Sequence, residues 1–134
     1  MRNISIMILV CGAIGCGDSS RMKTYPTSGS ITFDDGKPVE EGTIMFVSSG
    51  LPSGRGLIEG GQYQMGTYEQ ADGSVEGTFQ VAVVVNPPAN YDPDAGPPPV
   101  GAKEKYSIPE TSGLEFTVTA DGPNEFDIVL ERGR

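Results

Sequence analysis

From residue 29 onward, apolar side chains return at every second position in short runs separated by clusters of Gly, Pro, Asp and Asn. Ile31 and Phe33 alternate with Ser30, Thr32 and Asp34, Ile44 and Phe46 follow, and Tyr63 and Met65 flank Gln64. The clearest runs come later: Phe79, Val81, Val83 and Val85, then Leu114, Phe116 and Val118, then Phe126, Ile128 and Leu130. Side chains of a strand alternate between its two faces, so this period places one face on a core and the other in water. The pattern predicts seven strands, at about residues 29–34, 43–48, 55–59, 62–66, 78–86, 114–120 and 125–131. No stretch carries a helical stripe. Seven short strands with turn signals between them predict an all-β fold, a seven-stranded antiparallel sandwich of the immunoglobulin-like kind.

The turns fit that pattern. Asp35-Gly36, Gly60-Gly61, Asp72-Gly73 and Asp121-Gly122-Pro123-Asn124 each separate two runs and supply residues that tolerate a positive φ. With 19 Gly and 11 Pro in 134 residues, the chain is punctuated too often for long helices. Its length suits one domain.

Eighteen acidic against nine basic residues give a net charge of −9, which lacks the basic patch that phosphate neutralisation requires, so nucleic acid is excluded as a partner. The chain has no His and no Trp. That removes the commonest general base, the commonest neutral metal ligand and the largest stacking surface for sugars.

The N-terminal residues are different in kind. Arg2 precedes an uncharged run over residues 4–14, too short for the roughly 20 apolar residues of a membrane span, and reads as a secretory signal. Ala13-Ile14-Gly15-Cys16 resembles the bacterial lipobox, in which a Cys is diacylated and becomes the new N-terminus. Cys11 is a poorer candidate because Val10 before it is not small. Both cysteines lie in or beside the signal, so no disulfide can staple the body of the chain. The expected organisation is a signal peptide over residues 1–15, a lipidated Cys16, a flexible tether over 16–28 and a β-sandwich domain over 29–131. The tether averages about 20 Å end to end. The alternative is cleavage near Cys16 without acylation, which leaves a secreted soluble protein.

A family resemblance accompanies these readings. Gly29-Ser-Ile-Thr-Phe-Asp-Asp-Gly-Lys-Pro-Val-Glu-Glu-Gly-Thr-Ile-Met-Phe46 resembles the opening of carboxypeptidase regulatory-like domains. Gly61-Gln-Tyr-Gln-Met65 and Gly77-Thr-Phe-Gln-Val-Ala-Val83 look like that family's paired Gly-x-aromatic-x-aliphatic strands. Lys105-Tyr106, Thr111-Ser-Gly-Leu114 and the final strand resemble small exported bacterial proteins built on the same domain. The resemblance implies a transthyretin-like sandwich that binds or scaffolds without catalytic residues or a cofactor. Fold alone assigns no ligand.

Candidate chemistry concentrates in residues 87–112, because six of the eleven prolines fall within 87–99 and connections longer than about 12–15 residues are uncommon in compact domains. The functional reading is a binding loop with Tyr91 and Tyr106 as contact rings and Lys103 and Lys105 as local positive charge. The competing reading is a mobile surface segment. Asp92-Pro-Asp94-Ala-Gly96 opens like a calcium loop but has Gly96 and Lys103 at the fifth and twelfth places, so no metal site is expected there. Asp34-Asp35 reads as turn chemistry. Catalysis has little to work with: Ser-His and Cys-His arrangements are unavailable, and Ser107 near Lys105 is a chance spacing. Sugar stacking would fall to Tyr63, Tyr68, Tyr91 or Tyr106, of which Tyr63 looks like core.

These observations predict a non-catalytic, membrane-anchored cell-envelope lipoprotein whose sandwich serves as a structural or interaction domain, with an envelope protein or polysaccharide as partner. The runner-up is a secreted ligand- or carbohydrate-binding domain working through residues 87–112. A hydrolase ranks behind both.

Overall fold

Alternation of this kind needs neighbouring strands, and a computed structural model, which describes residues 21–87, 90–96 and 101–133, supplies them. Ten strands follow in chain order: β1 (Thr24–Tyr25), β2 (Thr27–Phe33), β3 (Glu41–Val47), β4 (Gly54–Glu59), β5 (Gln62–Gly66), β6 (Ser74–Val75), β7 (Gly77–Val85), β8 (Leu114–Val118), β9 (Asn124–Glu125) and β10 (Ile128–Leu130). Two short 3₁₀ helices, η1 (Pro93–Ala95) and η2 (Glu104–Ser107), lie between β7 and β8. The described residues contain no α-helix. The main sheet runs β10-β2-β5-β4-β3-β7-β8, with β9 also on β2, while β1 and β6 form a small separate pair.

All seven expected strands have counterparts, and β1 and β6 are additional; two residues are too few to show an alternation. β1 and the start of β2 fall inside the segment read as a tether over 16–28, so its second half is held to the domain. The signal peptide over 1–15, Cys16 and the first residues of the tether lie outside the described residues.

The direction of the last strands corrects the antiparallel expectation. β10 pairs with β2 in parallel, Ile128 opposite Ile31 and Leu130 opposite Phe33, and β9 does the same, Asn124 opposite Thr27. The rest of the main sheet is antiparallel. Alternation carries no information about direction, which depends on where the chain crosses over. The expected strand at 125–131 is also split. Between β9 and β10 the Asp127 carboxylate, rather than a backbone carbonyl, accepts from the Ser30 N–H and hydroxyl, both at 3.0 Å, so the ladder is interrupted there.

The core gathers the inward members of every run: Ile31, Phe33, Ile44, Phe46, Ile58, Met65, Phe79, Val81, Val83, Val118, Ile128 and Leu130 are buried. Phe46 touches both Phe79 and Phe116, at ring-centroid distances of 5.7 and 5.8 Å. Phe116 stacks on Phe126 at 4.8 Å. These rings tie β3, β7 and β8 to the link between β9 and β10 across the interior, and each such pair contributes about 0.5–1.5 kcal/mol beyond its buried area. The result is an all-β sandwich that approaches a barrel. Its two outermost strands, β8 and β10, are joined by side chains and η2 rather than by a ladder.

The turn between β4 and β5 is set by glycine. Gly60 and Gly61, both at positive φ (56° and 79°), reverse the chain between β4 and β5 so that Glu59 faces Gln62.

Candidate functional site

Of the residues singled out from the sequence, Lys103, Lys105 and Tyr106 meet at Glu131, and Tyr91 closes a separate turn. Tyr106 is 5% exposed and belongs to the core, a correction to its reading as a contact ring. η2 carries it inward, and its hydroxyl accepts from the Glu131 N–H at 3.2 Å, just beyond the end of β10. Period two cannot detect such a residue, because Tyr106 enters the core from a single helical turn. Lys103 and Lys105 are spent on one carboxylate: their Nζ atoms lie 2.7 and 3.4 Å from the Glu131 Oε2. That hydrogen bond and charge raise Lys103 above its ordinary value, and the reciprocal bond from Lys103 holds Glu131 below the usual carboxylate range. Tyr91 closes its own turn, its hydroxyl donating to the Gly96 carbonyl at 2.7 Å. Asp92 caps η1 by accepting from the Asp94 N–H at 2.9 Å. Asp35 accepts from the Lys37 N–H and pairs with Arg132 at 3.1 Å, so Asp34-Asp35 is turn chemistry. Ser107 donates to the Glu104 carbonyl within η2.

A concavity lies elsewhere, on the outer face of β2, β5 and β4. It encloses about 960 Å³ and is open to solvent. Its floor consists of the outward residues of these strands, set side by side by the register: Ser28 beside Gln64 beside Leu57, Ser30 beside Gln62 beside Glu59, and Gly66 beside Arg55. Glu125 and Asp127 stand at the β2 side. The wall at one end is the turn over residues 67–71, and Gly66 makes room for it. A Cβ on Gly66 would meet the Glu69 carbonyl and, at 2.8 Å, the Ala71 nitrogen, so the turn folds back over the sheet where β5 lacks a side chain.

Asp72 fixes this wall. Its carboxylate accepts from the N–H groups of Thr67, Tyr68 and Glu69 at 2.6, 3.2 and 3.1 Å. Partial burial pushes the Asp72 carboxyl up, but the three bonds outweigh it and hold the group below its ordinary value. Ala71, next to it, is the one described non-glycine residue at positive φ (60°). An Asp72→Ala chain is expected to lose about 1–2 kcal/mol, because the three donors exchange a charged acceptor for water. The sign with pH follows from the lowered value. The stabilisation is complete above the unfolded carboxyl value near 3.8 and disappears as pH falls through the lower folded one. Urea unfolding from pH 7 down to about 2 checks both, since the gap between parent and variant should close at the acid end. A gap that persists there would assign the effect to packing instead.

Tyr68, in the same wall, is where the described chain begins. The Met22 N–H donates to its hydroxyl at 2.9 Å, the Arg21 guanidinium lies 5.2 Å from its ring centroid, and Arg21 also pairs with Glu69 at 3.6 Å. Of the tyrosines named for stacking, Tyr63 is core as expected, its hydroxyl donating to the Phe126 carbonyl at 2.5 Å, and burial pushes it far above its ordinary value. Tyr63 and Tyr68 both line the groove, and Tyr68 is the more exposed of the two. The floor residues Arg55, Leu57, Gln62 and Gln64 were not singled out from the sequence. They are the polar half of the same alternation, and their convergence becomes visible only once β2, β5 and β4 are known to be neighbours. Among the described residues no three His, Cys, Asp or Glu side chains are placed to share a metal ion. Comparison with family models, with curated proteins and with solved structures finds no match to this chain.

Proposed function

We propose that this chain is an exported, non-catalytic cell-envelope lipoprotein: acylated at Cys16, held at the membrane by that anchor, and carrying a transthyretin-like sandwich as an interaction domain. The observation that supports it best is the polarity of the domain. The chain enters at β1, beside β6 and the first residues of β7, whereas residues 87–112 leave from the far end of β7. That strand has nine residues and spans roughly 27 Å, so an anchor at the N-terminus places the Val85 end of β7 away from the bilayer. The Arg21 and Met22 contacts to Tyr68 fix the chain's point of entry.

Two or more acyl chains, at about 0.8 kcal/mol per buried CH₂, hold a protein to a membrane despite repulsion between its net negative charge and anionic headgroups. A Cys16→Ala chain is therefore expected to move from the membrane fraction to the soluble fraction almost completely, and the parent's intact mass is expected to show a diacylated N-terminal cysteine. Unchanged membrane retention of the variant would remove the Cys16 anchor from the reading, and an unmodified parent in the soluble fraction would leave a secreted soluble domain.

A further inference from the structure

The groove over β2, β5 and β4 has a floor that cannot accept another strand. Each of the three is hydrogen-bonded to a neighbour on both sides, so anything bound there is held by side chains. Those side chains are unspent: among the described residues, Arg55, Glu59, Gln62, Gln64 and Glu125 make no side-chain hydrogen bond or ion pair. Gln62 and Gln64 stand on one face of β5 at roughly 7 Å spacing, and each amide offers both donors and an acceptor. Leu57, 51% exposed, and Tyr68 give two apolar surfaces, and no deep apolar pocket accompanies them. Glu59, Glu125 and Asp127 outnumber Arg55 along the floor and rim, while Glu69 is paired with Arg21.

We infer that this groove binds an amino-sugar glycan, an oligosaccharide of β-linked units with free amino groups. Sugar hydroxyls are donors and acceptors together, as the two amides are. The apolar faces of sugar rings match Leu57 and Tyr68, and the ammonium groups match the carboxylates. The same excess of negative charge rejects uronic-acid and phosphate polymers. A basic peptide satisfies the charges, and its backbone can meet the two amides, but a lysine chain offers no ring face to Leu57 and Tyr68, which makes it the competing outcome of the test. This inference rests on the interaction-domain reading and supplies that domain's ligand.

The test measures calorimetric binding of a β-linked glucosamine hexamer to the detergent-solubilised full chain, beside the N-acetylated hexamer, polygalacturonate and a lysine hexapeptide. The glucosamine hexamer is expected to bind at least about tenfold more tightly than the N-acetylated one and the peptide, with no binding of polygalacturonate. Gln62→Ala with Gln64→Ala, both exposed, should weaken the hexamer at least about tenfold at an unchanged Tm. Glu59→Gln with Glu125→Gln should bring the two hexamers within about threefold of each other. No binding of the glucosamine hexamer, equal binding of the lysine peptide, or full affinity in the double glutamine variant would each overturn the proposal. The same titration on the Cys16→Ala chain separates the two readings, because a failed anchor leaves hexamer binding intact and a failed groove leaves fractionation intact.

Discussion

Replacing Tyr106 with alanine is expected to cost about 3–5 kcal/mol of folding stability, the range found when a buried aromatic side chain is truncated. Tyr106 is 5% exposed, and it sits between η2, which packs along β7, and the end of β10, where its hydroxyl accepts from the Glu131 N–H. Its removal opens a void between strands that have no ladder to hold them together. Tyr106→Phe keeps the ring and loses one half-buried hydrogen bond, an effect of about 1 kcal/mol. Urea unfolding of the two variants separates filling from bonding. It also decides between two roles for the residue, since a contact ring would leave stability unchanged when truncated. A Tyr106→Ala chain as stable as its parent would contradict the packing described above.

Gly29→Ala is expected to be comparably damaging, by about 2–6 kcal/mol, although it adds a single carbon. The position on β2 faces the interior, opposite Tyr63. A Cβ there would run into the Phe126 carbonyl and approach the Tyr63 hydroxyl to 2.8 Å. The same carbonyl accepts the Tyr63 hydroxyl proton at 2.5 Å and belongs to the link that carries the chain from β9 to β10. Overpacking at that point costs about 1–3 kcal/mol, and separating a buried hydroxyl from its carbonyl adds about 1–3 more. Tyr63→Phe isolates the second contribution, so the difference between the two variants in urea unfolding measures the first. Equal losses in both would place the whole effect in the hydrogen bond.

Gly29 also shows how far a sequence can be read. The strand around it was legible because Ile31 and Phe33 alternate with polar residues, and the same held for β5, β7 and β8, whereas β4 carries Leu57 and Ile58 side by side. Nothing in that alternation tells that Phe126 lies over Gly29, because the contact joins residues almost a hundred positions apart. Direction and order were hidden for the same reason, and the parallel pairing of β10 with β2 is their product. The candidate site was harder still. Length and proline content drew attention to residues 87–112, but proline content reports stiffness, not presentation, and the residues with chemistry there turn inward or pair locally. The groove is built from Gln62, Gln64 and Leu57, which look individually like ordinary solvent-facing positions. They form a surface only through strand order, a property of the assembled sheet.

The pairing of the first long strand with the last has a consequence for how the molecule comes into being. β2 leaves one side open until Asn124–Glu125 and Ile128–Leu130 arrive, and the Ser30–Asp127 bond spans 97 positions. A chain emerging N-terminus first can form the β3–β4–β5 meander early, since its turns are local, but β2 has no second neighbour until residues 124–130 have emerged. Until those residues are in place, the early meander lacks the pairing that closes the sheet on the β2 side.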